Sequence, residues 1–126
     1  MSGWSNSQNY TISVIDKKKY AILKKRNRNK KIKFFKSIDD INNQNNLDYI
    51  IFATRPLELT NVFKELKNAN FNKKSIVISV IAGKKTEIFK KNLINISKIV
   101  RVMPNMPALI GEGVHCIYTN KSINKK

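Results

Sequence analysis

"LDYIIFATRPLELTNVFKEL", Leu47 to Leu66, changes its hydrophobic period halfway along. Its first part, Leu47 to Ala53, has an unbroken apolar centre of strand length and is expected to form a strand covered on both faces. Its second part opens on Pro56, which suits the first turn of a helix because its missing N–H is no loss there. Leu59, Val62, Phe63 and Leu66 then recur at i, i+3, i+4 and i+7, the apolar face of a helix. A buried strand running straight into an amphipathic helix is one half of a parallel crossover unit.

The pattern recurs downstream. "KKSIVISVIAG", Lys73 to Gly83, reads as another buried strand closed by a glycine, and Thr86 is placed to cap a helix carrying Ile88, Phe89 and Leu93 inward. "KIVRVMP", Lys98 to Pro104, is the next strand and "GVHCIYT", Gly113 to Thr119, one more, in which His115 and Cys116 read as packed residues. Upstream, "YTISVID", Tyr10 to Asp16, has the β-branched composition of a short buried strand, followed by a basic helix around Tyr20 and Leu23. "KIKFF" then offers a strand, Ser37 an N-cap for a brief helical turn, and "NNQNN", Asn42 to Asn46, a polar connection. Strand and helix alternating at this spacing imply parallel pairing through right-handed crossovers. The fold class is α/β, a Rossmann-like doubly wound, mostly parallel sheet. Ligands in such sheets sit beyond the carboxyl ends of the strands, so Asp16, Ala53 to Pro56, Ala82 to Gly83 and Pro104 to Pro107 are expected on one rim.

Composition limits what the rim could serve. The chain has 126 residues and a formal charge of +17. The charge and the run "KKRNRNKKIK" from Lys24 invite a nucleic-acid reading. Lysine outnumbers arginine 21 to 4, however, and Lys, Asn and Ile make up 56 of the 126 residues, as A+T-rich codons would produce. Arginine is the residue that reads guanine edges and phosphates bidentately, so its scarcity argues against specific nucleic-acid binding. No apolar run approaches the ~18 residues of a membrane span, and the N-terminus lacks a secretory pattern, so a cytoplasmic protein with no membrane partner is expected. Cys116 is the sole cysteine. It leaves no internal disulfide, and no cluster of Cys and His offers a metal site.

"IIFATRP", "ISVIAG" and "VRVMPNMPALIGEG", in this order and spacing, resemble the N-terminal dinucleotide-binding domain of pyrroline-5-carboxylate reductase. That family usually shows Ala-Val-Lys-Pro at the first site, a Ser-x-Ala-Ala-Gly-like motif at the second, and Met-Pro-Asn-Thr-Pro-Ala followed by Gly-Glu-Gly at the third. Thr54, Arg55, Ile81 and Met106 depart from it. The resemblance implies an oxidoreductase that passes a hydride from NADPH or NADH to the C=N carbon of pyrroline-5-carboxylate, giving L-proline, the last step of proline biosynthesis. Carried over position by position, it assigns Ala53, Thr54, Arg55 and Pro56, with Ala82 and Gly83, to the cofactor. Asn105, Met106 and Pro107 are assigned to the nicotinamide and the imine. Asp16 would hold the adenine ribose hydroxyls, or cap the next helix instead. Asp40 would lie near the adenosine half, and both acids lean towards NADH, while Lys17 to Lys19 could hold a 2′-phosphate.

The same resemblance implies that the family's first strand and its glycine-rich turn are lacking, and "G-x-G-x-x-G" is indeed not found in the 126 residues. Residues 1–119 are expected to form a partial Rossmann domain. Residues 120–126 are expected to be a polar tail leading to an absent C-terminal dimerisation domain, the source of homo-oligomers in the full-length family, which are not expected for this fragment. An inactive fragment of the reductase is the expectation, with no residue named as the proton donor. Two other readings stay open: a basic nucleic-acid-binding module, and another Rossmann dehydrogenase such as a β-hydroxyacid type.

Overall fold

The computed structural model describes residues 9–93, 95–104, 111 and 116–120. The chain divides into two compact units, Met1–Asn42 and Asn43–Lys126.

In the first unit, β1 (Ile12–Ile15) runs into α1 (Tyr20–Arg26) and then β2 (Ile32–Phe35). The two strands pair in parallel, with Ile12 opposite Ile32 and Ile15 opposite Phe35. The last turn of α1 carries Lys24, Lys25 and Arg26, cations that suit the negative end of a helix dipole. A short 3₁₀ turn, Ile38–Asp40, follows β2 and is capped as expected by Ser37. The expectation of a buried β1 fails: Ile12 and Ile15 are 43% and 39% exposed. α1 buries none of its residues, and among the described residues β1 has a strand neighbour on one edge only.

The second unit holds a four-stranded sheet in the order β3 (Tyr49–Phe52), β4 (Ile76–Ser79), β5 (Lys98–Met103) and β6 (Cys116–Thr119). The first three strands are parallel and β6 returns antiparallel to β5. Helices α2 (Leu59–Glu65) and α3 (Thr86–Asn92) connect β3 to β4 and β4 to β5. Asn120 fastens the far end of the sheet, accepting from the Ile99 backbone N–H and donating to the Ser97 carbonyl.

The core of this unit is aromatic. Phe52 of β3, Phe63 of α2 and Phe89 of α3 meet with ring centroids 5.2–5.9 Å apart, two of the three contacts edge-on. Tilted and edge-on contacts at this range set positive ring edges against negative ring faces. Val77, Ile99 and Leu59 are buried with them at 1% exposure or less. Both halves of the 47–66 stretch thus form as expected, since Leu59 and Phe63 supply the buried face of α2.

Three details differ. β3 and β4 alternate in burial, and Tyr49 and Ile51 are 61% and 64% exposed, so β3 is covered on one face only. Pro56 lies in a turn closed by Glu58 N–H on the Arg55 carbonyl, ahead of a helix that starts at Leu59. Lys85, in extended conformation, occupies the N-cap of α3, and Thr86 is its first, buried residue.

Candidate functional site

Parallel pairing puts the carboxyl ends of β3, β4 and β5 at one end of the sheet, and the register fixes how they line up. Phe52 stands opposite Ser79 and Ser79 opposite Arg101. The segments leaving those strands therefore emerge side by side: Ala53 to Pro56 after β3, Ala82 and Gly83 after β4, and Pro104 after β5. Ala53, Arg55, Pro56, Ala82, Gly83 and Pro104 are all exposed there. Asn105, Met106 and Pro107 lie outside the described residues, but the residue before them leaves the sheet at this end.

Gly83 has φ +71°, in the left-handed region, and a Cβ built on it would meet nothing within 4 Å. Its backbone conformation calls for glycine, and the space beside it is open. Among the described residues two polar atoms at this end are desolvated without a hydrogen-bond partner, Thr54 Oγ1 and Arg101 Nε. Arg101 was not singled out from the sequence. The available signal was a charged residue inside the apolar run from Ile99 to Met103, in a chain that otherwise favours lysine.

The two acids belong to the first unit and occupy the carboxyl ends of its own strands. Asp16 follows β1, where its N–H donates to the Phe35 carbonyl at 3.3 Å. Its Oδ1 accepts from the backbone N–H groups of Lys18 at 3.1 Å and Lys19 at 2.9 Å. The carboxylate thus closes the turn ahead of α1, whose own N-cap is Lys19 without a side-chain cap. Asp40 Oδ2 accepts from Ser37 N–H at 3.2 Å, closing the capping box. Cys116 is exposed at the start of β6, contrary to the expectation of a packed thiol. As the first residue of an antiparallel edge strand, it has no described element covering it.

A concavity of the second unit lies elsewhere. It is lined by Phe63, Lys64, Leu66, Phe71, Leu93 and Ile96, where α2 and α3 end. It lies at the end of the sheet opposite the carboxyl rim, because each helix runs back along the sheet from that rim.

The chain is 32% identical to pyrroline-5-carboxylate reductase of Haemophilus influenzae over 98 residues, covering 73% of this chain and 36% of the relative. The chain is a homologue of the pyrroline-5-carboxylate reductases. Solved reductase structures agree. That from Coxiella burnetii superposes with a TM-score of 0.60 at 28% identity, covering 75% of this chain and 34% of its own. The Plasmodium falciparum reductase, solved with NADP bound, gives 0.59 at 26% identity over 78% of this chain and 36% of its own. No protein-family model matches the chain. It spans about a third of the length of the reductases it matches. Their α/β Rossmann-type fold is the class expected from the sequence, and neither a nucleic-acid module nor a β-hydroxyacid dehydrogenase is favoured.

Proposed function

We propose that the carboxyl rim of β3, β4 and β5 is part of the binding surface of a pyrroline-5-carboxylate reductase, reducing the cyclic imine to L-proline with NADPH or NADH. The observation that carries this reading is the in-register parallel sheet, which brings Ala53 to Pro56, Gly83 and the root of the Asn105 segment to one exposed end. The rim suits one side of an extended dinucleotide. It offers the exposed positive charge of Arg55, the orphan hydroxyl of Thr54 and, at Gly83, a backbone with open space beside it. The reduced nicotinamide supplies the hydride. This chain's residues bind and orient: Arg55 meets a diphosphate oxygen, Thr54 donates its hydroxyl, and Gly83 admits the cofactor close to the backbone.

Asn105, Met106 and Pro107 flank the imine in this reading, with the Asn105 amide able both to donate and to accept. Asp16 and Asp40, in the first unit, are the acids that the family resemblance assigns to the adenosine half, and each has one carboxylate oxygen already engaged by its own backbone. Residues 1–119 act as the dinucleotide-binding portion and 120–126 as a lead to a dimerisation domain, in a cytoplasmic enzyme. The test is titration of the chain with NADPH and NADH by fluorescence, followed by imine-dependent oxidation of the bound cofactor at 340 nm. Binding of either dinucleotide, weakened about 10-fold or more by Arg55→Ala, is expected. If neither dinucleotide binds, the reading is wrong.

A further inference from the structure

Arg101 is an unusual occupant of its position. Strand alternation and register place it on the same face as Phe52, Val77 and Ile99, beside the fully buried Ser79 and across from Tyr118. Apart from Ser79, the buried strand residues of that face are apolar. The side chain is half-buried, and its Nε is withdrawn from solvent with no acceptor. A guanidinium has five N–H donors. Among the described residues Nη2 reaches the thioether of Met103, at 3.4 Å, and a thioether is a weak acceptor.

The direction of that contact matters. Met103 is the last residue of β5, so the guanidinium leans along the strand towards the carboxyl rim. A partly desolvated cation at the rim, short of acceptors, is arranged for oxygens that arrive from outside. We propose that Arg101 is an oxyanion-binding residue of this rim, taking carboxylate or phosphate oxygens of a bound ligand with its planar fork. Arginine rather than lysine at this place, in a chain with 21 lysines and 4 arginines, suits bidentate contact over a point charge.

Thr54 Oγ1 is the second orphan at the same end. It follows β3, two strands from β5, and neighbouring strands lie about 4.8 Å apart, so the two backbones are separated by about 10 Å. Thr54 and Arg101 can thus serve either one extended ligand or two ligands lying side by side along the strand ends. This inference rests on the rim being the ligand site, and it adds a residue and a ligand chemistry to it.

The test follows the Arg Nε–Hε signals of ¹⁵N-labelled chain by NMR, with the Arg101 signal assigned by its loss in Arg101→Lys. The probes are L-proline for a carboxylate, inorganic pyrophosphate for a phosphate, and NADPH. The expected result is a saturable shift of the Arg101 signal with L-proline or with pyrophosphate, which identifies the source of the anion. Arg101→Lys should weaken that probe about 10-fold and Arg101→Met about 100-fold. Arg26→Met, on α1, should leave it unchanged, which separates a specific contact from attraction to a chain of charge +17. If NADPH moves the backbone signals of Arg55 and Gly83 while Arg101 stays still with all three probes, the inference is overturned and the rim reading stands. If no probe moves any rim signal, both fall. Should Arg101→Met not fold, the Lys variant and the wild-type shift decide alone.

Discussion

Replacing Phe89 by alanine should take away a large part of the second unit's stability. Phe89 has 0% exposure and touches both Phe52 and Phe63, so it joins α3 to β3 and to α2. An aromatic ring buries about 150–250 Å², which at about 25 cal/mol per Å² is worth about 4–6 kcal/mol. Alanine keeps only the Cβ, and the helix above the sheet cannot collapse fully into the space. Measured Phe→Ala costs in cores are about 3–5 kcal/mol. Taking ~4 kcal/mol and a urea dependence of ~2 kcal/mol per M, the denaturation midpoint should fall by ~2 M, or the transition should vanish. The matched control is Leu57→Ala, since Leu57 is 94% exposed and should change stability by less than ~0.5 kcal/mol. Urea unfolding followed by circular dichroism measures both. The reasoning is refuted if Phe89→Ala moves the midpoint by under ~0.5 M, no more than the control. The consequence would reach the rim, because the connections Ala53 to Glu58 and Val80 to Lys85 hang between elements that this cluster fastens.

Gly83 at φ +71° should tolerate asparagine better than valine, at a cost of about 1–2 kcal/mol for valine, because the built Cβ meets no atom and only the backbone conformation is strained. Equal urea midpoints for the two variants would contradict that. Asp16→Ala removes an acceptor shared by two N–H groups and should cost about 1 kcal/mol, whereas Asp16→Asn should cost almost nothing, as read from thermal melts of the two variants. Cys116, exposed in β6, should react in full with a disulfide reagent under native conditions. Protection until denaturant is added would mean that another element covers the strand.

The second unit was the more legible of the two, and the reason lies in how its residues are spaced. Leu59 and Phe63 sit one helical turn apart, Val77 and Ser79 two residues apart on a strand, and each period survived because one element packs directly on the other. What misled was the apolar run itself. "YIIF" is apolar at every position, which argues for two covered faces, yet only Phe52 is buried while Tyr49 and Ile51 face outward. A run of this kind records what a strand can bury. It does not record whether the covering element is there. β1 shows the same gap, with isoleucines at both ends and no helix residue buried against them.

The site divides along a similar line. Its location follows from chain order alone, because helices joining parallel strands leave every strand-to-helix turn at one end, and β3 to β5 are parallel. Which side chains work there does not follow from order. Asp16 and Asp40 carry the right charge for a ribose contact, but a carboxylate near free N–H groups is drawn first to its own backbone, and both have been. Arg101 shows the opposite case: strand alternation marks its position for an apolar residue, and only the unmet donors of the folded side chain reveal what its charge lacks. A polar residue that a local pattern already satisfies is weak support for a ligand, while one that the fold has desolvated and left short of partners is strong support. On that criterion the rim of β3 to β5 rests on Thr54, which sequence reasoning named, and on Arg101, which it did not, while Asp16 and Asp40 add little to a ligand reading.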